Sequence, residues 1–332
     1  MNKERVLKVA ALTVGDSIHI ASTQYRLGQF VDGLKEDGVL LDLYPAHAWR
    51  KWPDLSAYDL VIVQKRLLKI RLVKRIRKAA KRLIFDTDDA IWEPHGRSHS
   101  WWTRMRTRAR VKAIAVAADI CTVPNRYLAD ALSRHARQVE IIPMALDGSA
   151  WFPAVEKKQD TFRVGWSGAP PNLIYLTELS GVLQEIQKER PEVEVVIYCG
   201  EKPKWPVHTE YHPFVPGTEA DVVRTFDIGL LPLPDDAFAA GKSPIKALQY
   251  AACGVPCIAS PVGATREIVQ DQTTGMNAGT MRDWKAAILR LIGNADERKR
   301  YGQAARRMFL ENHTHEQVQA RLVKCWRTLA DR

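Results

Sequence analysis

The stretch GKSPIKALQYAACGVPCIASPVGATREIVQDQTTGMNAG, residues 241–279, holds the clearest structural pattern in this 332-residue chain. It predicts a loop, a helix, a buried strand and a turn into a second helix. Pro244 suits the first helical position because its missing N–H would have no partner there, and Ser243 is therefore predicted to cap the helix N-terminus. Gly254 predicts a left-handed end to that helix. The apolar run 255–260 fits a short strand buried on both faces.

Two lysines lie at the start of the predicted helix. Lys242 precedes the helix and Lys246 lies in its first turn, so their charges add to the unpaired N–H groups that attract a phosphate. The alternative is an ordinary strand-flanking helix with two solvated lysines, and the local pattern leaves both interpretations open. Farther along, Thr265 is predicted to cap a second helix that carries Arg266 and Glu267.

Predicted strands and helices alternate along the chain, and a polar, proline-containing stretch at 151–160 interrupts the alternation near the middle. This pattern predicts parallel sheets covered by helices, and the length suits two domains of about 150 residues each. We therefore predict an α/β fold with two Rossmann-like doubly wound domains facing a cleft, where ligands bind at the carboxyl ends of the strands. The buried-strand candidates include KVAALTV (8–14), YDLVIVQ (58–64), KRLIFD (81–86), FRVGWSG (162–168), VEVVIYCG (193–200) and IGLLPLP (228–234).

The segment ACGVPCIASPVGATREIV at 252–269 resembles the nucleotide-sugar-binding part of retaining glycosyltransferases of the GT-B fold, in the family 4-like group. That group usually has two glutamates eight residues apart around the preceding helix, and the equivalent positions here are Gly241 and Gln249. The chain is instead similar to a variant that reads G-K-x-x-x-K-x-x-Q-Y. The variant residues here are Gly241, Lys242, Lys246, Gln249 and Tyr250.

The resemblance extends into the first half of the chain. Residues 21–26, 61–66 and 85–92 resemble loops of the same variant, the last as F-D-x-D-D-A-x-W. The resemblance implies an acceptor-side domain over residues 1–150 and a nucleotide-sugar-binding domain over 151–314. It also implies that the helix of residues 315–332 crosses back to the first domain.

The resemblance and the residue pattern together predict the site residues. We expect the two lysines and the helix amides to stabilise the leaving diphosphate, Gln249 to bind sugar hydroxyls, and Glu267 to bind the nucleotide ribose, with helix capping as the alternative for Glu267. The predicted residues are, for catalysis, Lys242, Lys246, Asp88 and Asp89; for the donor, Ser167, Gly168, Ser243, Gln249, Gly263, Arg266 and Glu267; for the acceptor, Tyr25, Arg26 and Asp86.

The acidic run Asp86, Asp88, Asp89 also permits a metal hypothesis, because carboxylates in a D-x-D pattern can hold a divalent cation through a donor diphosphate. The run follows a strand of the first domain, whereas the donor-like features lie in the second. We therefore expect contact with acceptor hydroxyls or a loop-stabilising role, and no metal. His95 and His99 follow this run without a clear equivalent in the family.

Basic residues are concentrated in two stretches. The chain has a net charge of +11; residues 65–82 include ten basic residues and no acid, and residues 104–112 include five. The first stretch predicts an amphipathic helix with Leu68, Leu72 and Ile76 on one face. Such a helix is either a solvated surface or a contact with anionic lipid, and nucleic acid is a third alternative without a supporting motif.

The remaining composition predicts a cytoplasmic protein. No apolar run reaches the ~20 residues of a membrane span, the N-terminus reads as a first strand, and the five scattered cysteines are predicted to be buried thiols. Taken with the resemblance, this implies a cytoplasmic glycosyltransferase, either free in the cytoplasm or attached peripherally to the inner face of the cytoplasmic membrane. It would use a nucleoside-diphosphate sugar and a saccharide or lipid-linked acceptor in envelope polysaccharide or lipopolysaccharide synthesis, with no cofactor required. The alternatives are a non-catalytic sugar-nucleotide-binding protein and a basic nucleic-acid-binding protein.

Overall fold

The computed structural model describes residues 5–17, 20–46, 53–94, 100–154 and 161–332. The chain forms two compact units. The first combines Met1–Ala145, Ala240–Ser243 and His315–Arg332, and the second combines Leu146–Ala239 and Pro244–Thr314. The first unit thus takes up residues 240–243, which the sequence assigned to the second domain.

The first unit contains a six-stranded parallel sheet in the order β2-β1-β3-β4-β5-β6. The order reverses between β1 and β3, which is the point where doubly wound sheets bind ligands. The strands are β1 (Leu7–Thr13), β2 (Val39–Pro45), β3 (Leu60–Gln64), β4 (Arg82–Asp86), β5 (Ile120–Val123) and β6 (Val139–Ile141). The helices are α1 (Ala21–Arg26), α2 (Val31–Glu36), α3 (Ile70–Ala79), α4 (Trp101–Ala117), α5 (Arg126–Ser133) and α14 (His315–Ala330).

The final helix, α14, belongs to the core of the first unit. It buries Val318, Leu322, Trp326 and Leu329, which recur every three or four residues along one helix face. Arg327 next to this face donates a hydrogen bond to the carbonyl oxygen of Asp37 at 2.7 Å. The apolar stripe and hydrogen bonds of this kind together hold the last helix against the first unit.

The second unit also contains a six-stranded parallel sheet, in the order β12-β11-β10-β7-β8-β9. The order reverses between β7 and β10. The strands are β7 (Phe162–Gly168), β8 (Val193–Cys199), β9 (Thr209–Pro213), β10 (Ile228–Leu231), β11 (Cys257–Ala259) and β12 (Gly275–Asn277). The helices are α6 (Leu173–Thr177), α7 (Ser180–Glu189), α8 (Glu219–Val223), α9 (Ala237–Gly241, whose last two residues belong to the first unit), α10 (Ile245–Ala252), α11 (Thr265–Ile268), α12 (Met281–Gly293) and α13 (Ala295–Asn312).

Two doubly wound parallel sheets confirm the predicted fold class. The strand predicted over 255–260 is shorter, because Pro256 has no N–H for a ladder and β11 begins after it. Gly254 has φ of 66°, which confirms the left-handed helix end.

The basic segment 65–82 is not one helix. Only Ile70–Ala79 is helical, and it buries Val73 and Ile76. Lys65 precedes it, with φ of 48°, in a sharp turn directly after β3. Lys65 is therefore not part of a basic helix face.

The amino-terminal end of the second sheet carries a charge network across three strands. Arg163 of β7 donates to Glu194 of β8 at 3.1 Å and to Glu210 of β9 at 2.8 Å. The hydrogen bond from Arg163 lowers the pKa of Glu210 to about 2. Because this folded-state pKa lies below the unfolded value, the stabilisation is present above about pH 4.5 and is lost as the pH falls toward about 2.

We expect a Glu210→Gln variant to be less stable than the wild type near pH 6, with a difference that shrinks as the pH falls toward 3. Urea unfolding of both proteins at several pH values measures the difference. A stability difference that does not change with pH would show that Glu210 does not contribute through its ionisation.

Four of the five cysteines are buried, as predicted, and the fifth is only half-buried. Cys121, Cys199, Cys253 and Cys257 are buried free thiols, and burial raises the pKa of Cys121 to about 12. Cys325 is free and half-buried. Within the described residues, no helix has the length and apolar character that a membrane crossing requires.

Candidate active site

Tyr250 positions helix α10 at the point where the second sheet reverses its strand order. Its hydroxyl accepts a hydrogen bond from the Ser167 N–H at 3.0 Å and donates to the Leu230 carbonyl oxygen at 3.3 Å. These residues lie near the carboxyl ends of β7 and β10. Gly229 leaves room for the ring, since a Cβ there would lie 2.5 Å from Tyr250. The first turn of α10 is thereby held near a position where doubly wound folds bind ligands.

Lys246 in that first turn belongs to a hydrogen-bonded cluster around Glu219. Its ammonium forms an ion pair with Glu219 Oε1 and donates to Ser167 Oγ at 3.2 Å. The Ser167 hydroxyl donates to Glu219 Oε1 at 3.1 Å, and Gln249 Nε2 donates to Glu219 Oε2 at 3.0 Å. Three side chains from β7 and α10 thus meet at the carboxylate of Glu219 on α8.

Two side chains of this cluster, Lys246 and Glu219, are partly exposed and can therefore contact a ligand. Gln249 is fully buried, whereas the Lys246 and Glu219 side chains are 24% and 14% exposed. A partly exposed lysine in the first turn of a helix presents its charge beside backbone N–H groups, which is a favourable arrangement for an anion. The pairing with Glu219 holds the lysine in one orientation before an anion arrives.

Glu219 was not predicted as a site residue. The sequence showed Gln249 in place of a family glutamate, and α8 supplies a carboxylate next to that glutamine. Residues 218–221 read only as the start of a helix, where acidic residues are common. Nothing local in the sequence distinguishes Glu219, because its partners lie 27 to 52 residues away.

The segment before α10 differs from the prediction. The Ser243 hydroxyl donates to the carbonyl oxygen of Asp88 at 2.8 Å, so Ser243 does not cap α10. The cap position is Pro244, and no side chain of the described residues caps this helix. Gly241 packs closely on Ala90, where a Cβ would lie 2.5 Å from the alanine Cβ. Residues 240–243 therefore bind to the acidic loop of the first unit.

The two lysines predicted to lie together belong to different units. Lys242 is in the first unit, where its charge acts on Asp89, and Lys246 is in the second unit beside Glu219. The prediction treated both as neighbours at one helix end. Ser243 and Gly241 contact the acidic loop of the first unit, and the division between the two units falls directly after Ser243.

Lys65 is the centre of the polar cluster of the first unit. Its ammonium pairs with Asp88 at 3.1 Å and with Asp89, and it donates to Ser22 Oγ at 2.5 Å. Burial acts against the charge of Lys65, but Asp88 and Asp89 outweigh burial and raise its pKa. Burial and the neighbouring Asp88 raise the pKa of Asp89, against the opposing charges of Lys65 and Lys242. Lys65 lies at the carboxyl end of β3, next to the reversal point of the first sheet.

Arg26 and Asp86 form a buried pair beneath this cluster. Arg26 Nε and Nη2 donate to the two Asp86 oxygens at 3.2 and 2.6 Å, and both residues are 3% exposed. Arg26 also donates to the carbonyl oxygen of Ile142 at 2.5 Å, and the Thr122 hydroxyl donates to Asp86 at 2.8 Å. Arg26 and Asp86 form an ion pair with each other. The direct contact with the acceptor that was predicted for them would require this ion pair to break.

The other predicted residues lie on the surface or at turns. Gly168 ends β7, and Gly263 has φ of 47° in the turn before α11. Arg266 and Glu267 are exposed on α11, and Tyr25 is half-buried on α1. Ala264 occupies the cap position of α11, so the prediction that Thr265 caps it is wrong. His95 and His99 lie outside the described residues.

The described residues contain no group of three or more His, Cys, Asp or Glu side chains arranged to hold a metal ion. The carboxylates of the acidic run each have a basic partner: Asp86 has Arg26, while Asp88 and Asp89 share Lys65. Because these three carboxylates already form ion pairs with basic side chains, they fit a loop held together by its own ion pairs better than a cation site.

Comparisons with known proteins assign the second half of the chain to a described family model and the whole chain to a known fold. Residues 163–294 match the family model described as "Glycosyl transferases group 1", which includes β7, α8, α10 and the Glu219 cluster. No curated protein matches the sequence at a significant level.

Solved structures match almost the entire chain at low sequence identity. A sucrose-phosphate synthase from Thermosynechococcus elongatus is 14% identical with a TM-score of 0.77, covering 97% of this chain and 99% of that one. The Anabaena HepE protein, solved in complex with UDP and glucose, is 11% identical with a TM-score of 0.71, covering 97% and 100%.

A glycosyltransferase from Rickettsia africae is 11% identical with a TM-score of 0.66, covering 98% of this chain and 99% of that one. The chain therefore has the two-domain GT-B fold of these proteins, and its segment 163–294 matches the group 1 glycosyltransferases.

Proposed function

We propose that the protein is a glycosyltransferase that uses a nucleoside-diphosphate sugar. The observation that carries this proposal is Lys246, held by Glu219 and Ser167 at the reversal point of a doubly wound sheet. This cluster lies inside the segment that matches the group 1 glycosyltransferases. The HepE neighbour was also solved in complex with UDP-glucose, which is a donor of the class proposed here.

The donor diphosphate would bind at the start of α10. Lys246 and the first-turn N–H groups would meet the charge that develops on the leaving diphosphate, an interaction that strengthens in the transition state. Ser167 and Gly168 would contribute at the end of β7. Gln249 is the candidate for the sugar hydroxyls; because it is fully buried and donates to Glu219 at 3.0 Å, this contact would require that hydrogen bond to rearrange.

The nucleoside would be bound by α11 and the turn before it. We assign the ribose hydroxyls to the exposed carboxylate of Glu267, with Arg266 and Gly263 beside it on the same short segment. A carboxylate accepts hydrogen bonds from both ribose hydroxyls, which makes this exposed acid suited to that role.

The acidic loop of the first unit would serve the acceptor. Asp88 and Asp89, held by Lys65, would accept hydrogen bonds from an acceptor hydroxyl, and Lys242 would add positive charge near them. Ser243 would fix this loop through its bond to the Asp88 carbonyl. We assign Arg26 and Asp86 a positioning role, in place of direct contact, because they are buried and paired; Tyr25 is the acceptor-contact candidate on α1.

We further propose a retaining reaction by attack of the acceptor on the same face of the sugar, with a phosphate oxygen of the leaving group taking the acceptor proton. This mechanism needs no enzyme nucleophile. The acceptor class is a saccharide or lipid-linked saccharide of the cell envelope, made on the cytoplasmic side with the protein attached peripherally to the membrane. The anomeric configuration of the product, read by NMR, tests the stereochemistry.

Donor binding is tested by a thermal-shift panel of UDP, GDP, ADP, dTDP and their sugars, with and without Mn²⁺. One nucleotide family should raise the melting temperature without metal, because a ligand that binds only the folded state stabilises it. A shift that requires Mn²⁺ would contradict the metal-free proposal. Binding without any turnover would favour a non-catalytic sugar-nucleotide-binding protein, which the glycine and glutamine at positions 241 and 249 make the second candidate.

A further inference from the structure

Helix α4 has an exposed and strongly basic first half. Ser100 caps its N-terminus, accepting a hydrogen bond from the Thr103 N–H at 3.3 Å, so the helix has a defined start. The buried residues of α4 are Val111, Ile114 and Ala115, all in its second half. None of residues 101–110 is fully buried by the described part of the chain: seven are exposed, and Thr103, Thr107 and Arg110 are half-buried.

Large apolar side chains on this helix face outward. Trp101 is 60% exposed, Trp102 is 73% exposed and Met105 is 50% exposed. At 3.6 residues per turn, these three side chains and Val116 fall within an arc of about 100°. The buried face, with Ile114 and Val111, lies on the opposite side. The exposed Lys112 lies in the same arc, between Met105 and Val116, so the outward face is apolar in its first two turns and carries a charge beyond them. Only the opposite face packs on the protein.

Arginines flank the outward apolar arc on both sides. Arg104 and Arg108 lie along one edge and Arg106 along the other, and α4 contains no acidic residue. Helix α3 packs against α4 and likewise contains no acid, while it exposes Arg71, Lys74, Arg75 and Lys78. Ile70, at the start of α3, is a further exposed apolar residue.

From this arrangement we infer that the α3–α4 surface, defined by Trp101, Trp102, Met105, Arg104, Arg106 and Arg108 with the basic residues of α3, binds an anionic phospholipid bilayer. Tryptophan is favoured at the level of lipid head groups because its ring is apolar and its N–H is polar. Arginine and lysine beside it are attracted to anionic lipids.

A bilayer fits these observations better than nucleic acid does. A nucleic acid would use the cations and stack bases on single aromatic rings, but the two tryptophan rings contact each other edge to face, with centroids 4.4 Å apart. An apolar arc continued by Met105 and Val116 has no role in a phosphate contact. The inference rests on the proposed membrane attachment but not on sugar transfer.

Flotation with vesicles tests the inference. The full-length protein is mixed at low salt with vesicles of phosphatidylcholine alone, or of phosphatidylcholine with phosphatidylglycerol, and the bound fraction is measured. We expect binding to the anionic vesicles only, with a loss of affinity of about tenfold or more for Trp101→Ser/Trp102→Ser. In Arg104→Gln/Arg106→Gln/Arg108→Gln, each arginine removed should lower the affinity for anionic vesicles about fivefold. Added salt should also lower this affinity.

A matched control removes two exposed apolar residues elsewhere. Ile174 and Met281 of the second unit are 60% and 47% exposed, so Ile174→Ser/Met281→Ser should bind vesicles as the wild type does. All variants should keep the wild-type melting temperature because the replaced side chains are on the surface.

Three results would overturn the inference: wild-type protein that ignores anionic vesicles, tryptophan variants that bind like the control, or binding to an oligonucleotide in place of vesicles. Nucleotide-induced thermal shifts of the same variants separate this inference from the proposed activity. A nucleotide-induced rise in melting temperature without any vesicle binding would contradict the membrane-binding inference and would not contradict the proposed transferase activity.

Discussion

Lys246→Ala should lower the turnover of the nucleoside-diphosphate sugar about 100- to 1000-fold, mainly through kcat. The ammonium is held at the start of α10 by Glu219 and Ser167, with its position set before the donor binds. Its attraction for the diphosphate grows as the bond to the sugar breaks, so its removal raises the barrier more than it weakens donor binding. Release of nucleoside diphosphate measures the effect.

Lys285→Ala is the matched control. Lys285 is also a lysine of the second unit with carboxylate partners, Glu185 at 2.9 Å and Glu189 at 2.6 Å, but it lies on the outer surface between α7 and α12. The turnover of the Lys285→Ala variant should equal that of the wild type. Glu219→Gln should lose less activity than Lys246→Ala, because the amide still bonds to its neighbours while the ion pair is removed. Wild-type turnover in Lys246→Ala would contradict the assignment of this lysine to the diphosphate.

The second large effect concerns stability. Arg26→Ala should destabilise the first unit by about 3–5 kcal/mol, because it leaves the charge of Asp86 buried without its partner. The pair is almost completely buried, with both residues 3% exposed. Chemical denaturation, combined with hydrogen exchange of peptides from β3 and β4, assigns the loss to the first unit.

Arg126→Ala is the control for this prediction. Arg126 and Asp130 form an ion pair on α5 with side chains 75% and 65% exposed. Removing an exposed pair of this kind should cost less than about 0.5 kcal/mol. The double variant Arg26→Met/Asp86→Asn should be more stable than Arg26→Ala, since neither charge remains buried. Equal losses in Arg26→Ala and Arg126→Ala would contradict a buried pair.

The fold was predictable because it depends on local patterns. Short apolar runs indicated the strands, and Gly254 indicated the end of α10 from its position alone. The helical period of Val318, Leu322 and Trp326 is likewise visible in the sequence. These features depend on neighbours within a few residues, so a single chain shows them.

The site was less predictable because its contacts are distant in sequence. Lys246 was identified from its place in the first turn of a helix, whereas Glu219 was missed because its role depends on Ser167, 52 residues away. Lys65 was assigned to a basic helix because the charge pattern around it is continuous. The structure shows a sharp turn there and a pair of aspartates that no periodicity indicates.

Ser243 shows the same limit at short range. A serine before a proline at a helix start is a common cap pattern, and here the hydroxyl bonds to Asp88, 155 residues away. The tertiary contact takes precedence over the local one, and Lys242 then belongs with the acidic loop.

The most direct test of the account is donor turnover by the wild-type protein. The protein is incubated with UDP-, GDP-, ADP- and dTDP-linked sugars, each with and without a membrane-derived saccharide fraction, and released nucleoside diphosphate is measured. We predict release from one nucleotide family, increased by the acceptor fraction and nearly abolished in Lys246→Ala but not in Lys285→Ala. No release from any donor by a protein whose melting temperature rises with a nucleotide would contradict the proposed transferase activity.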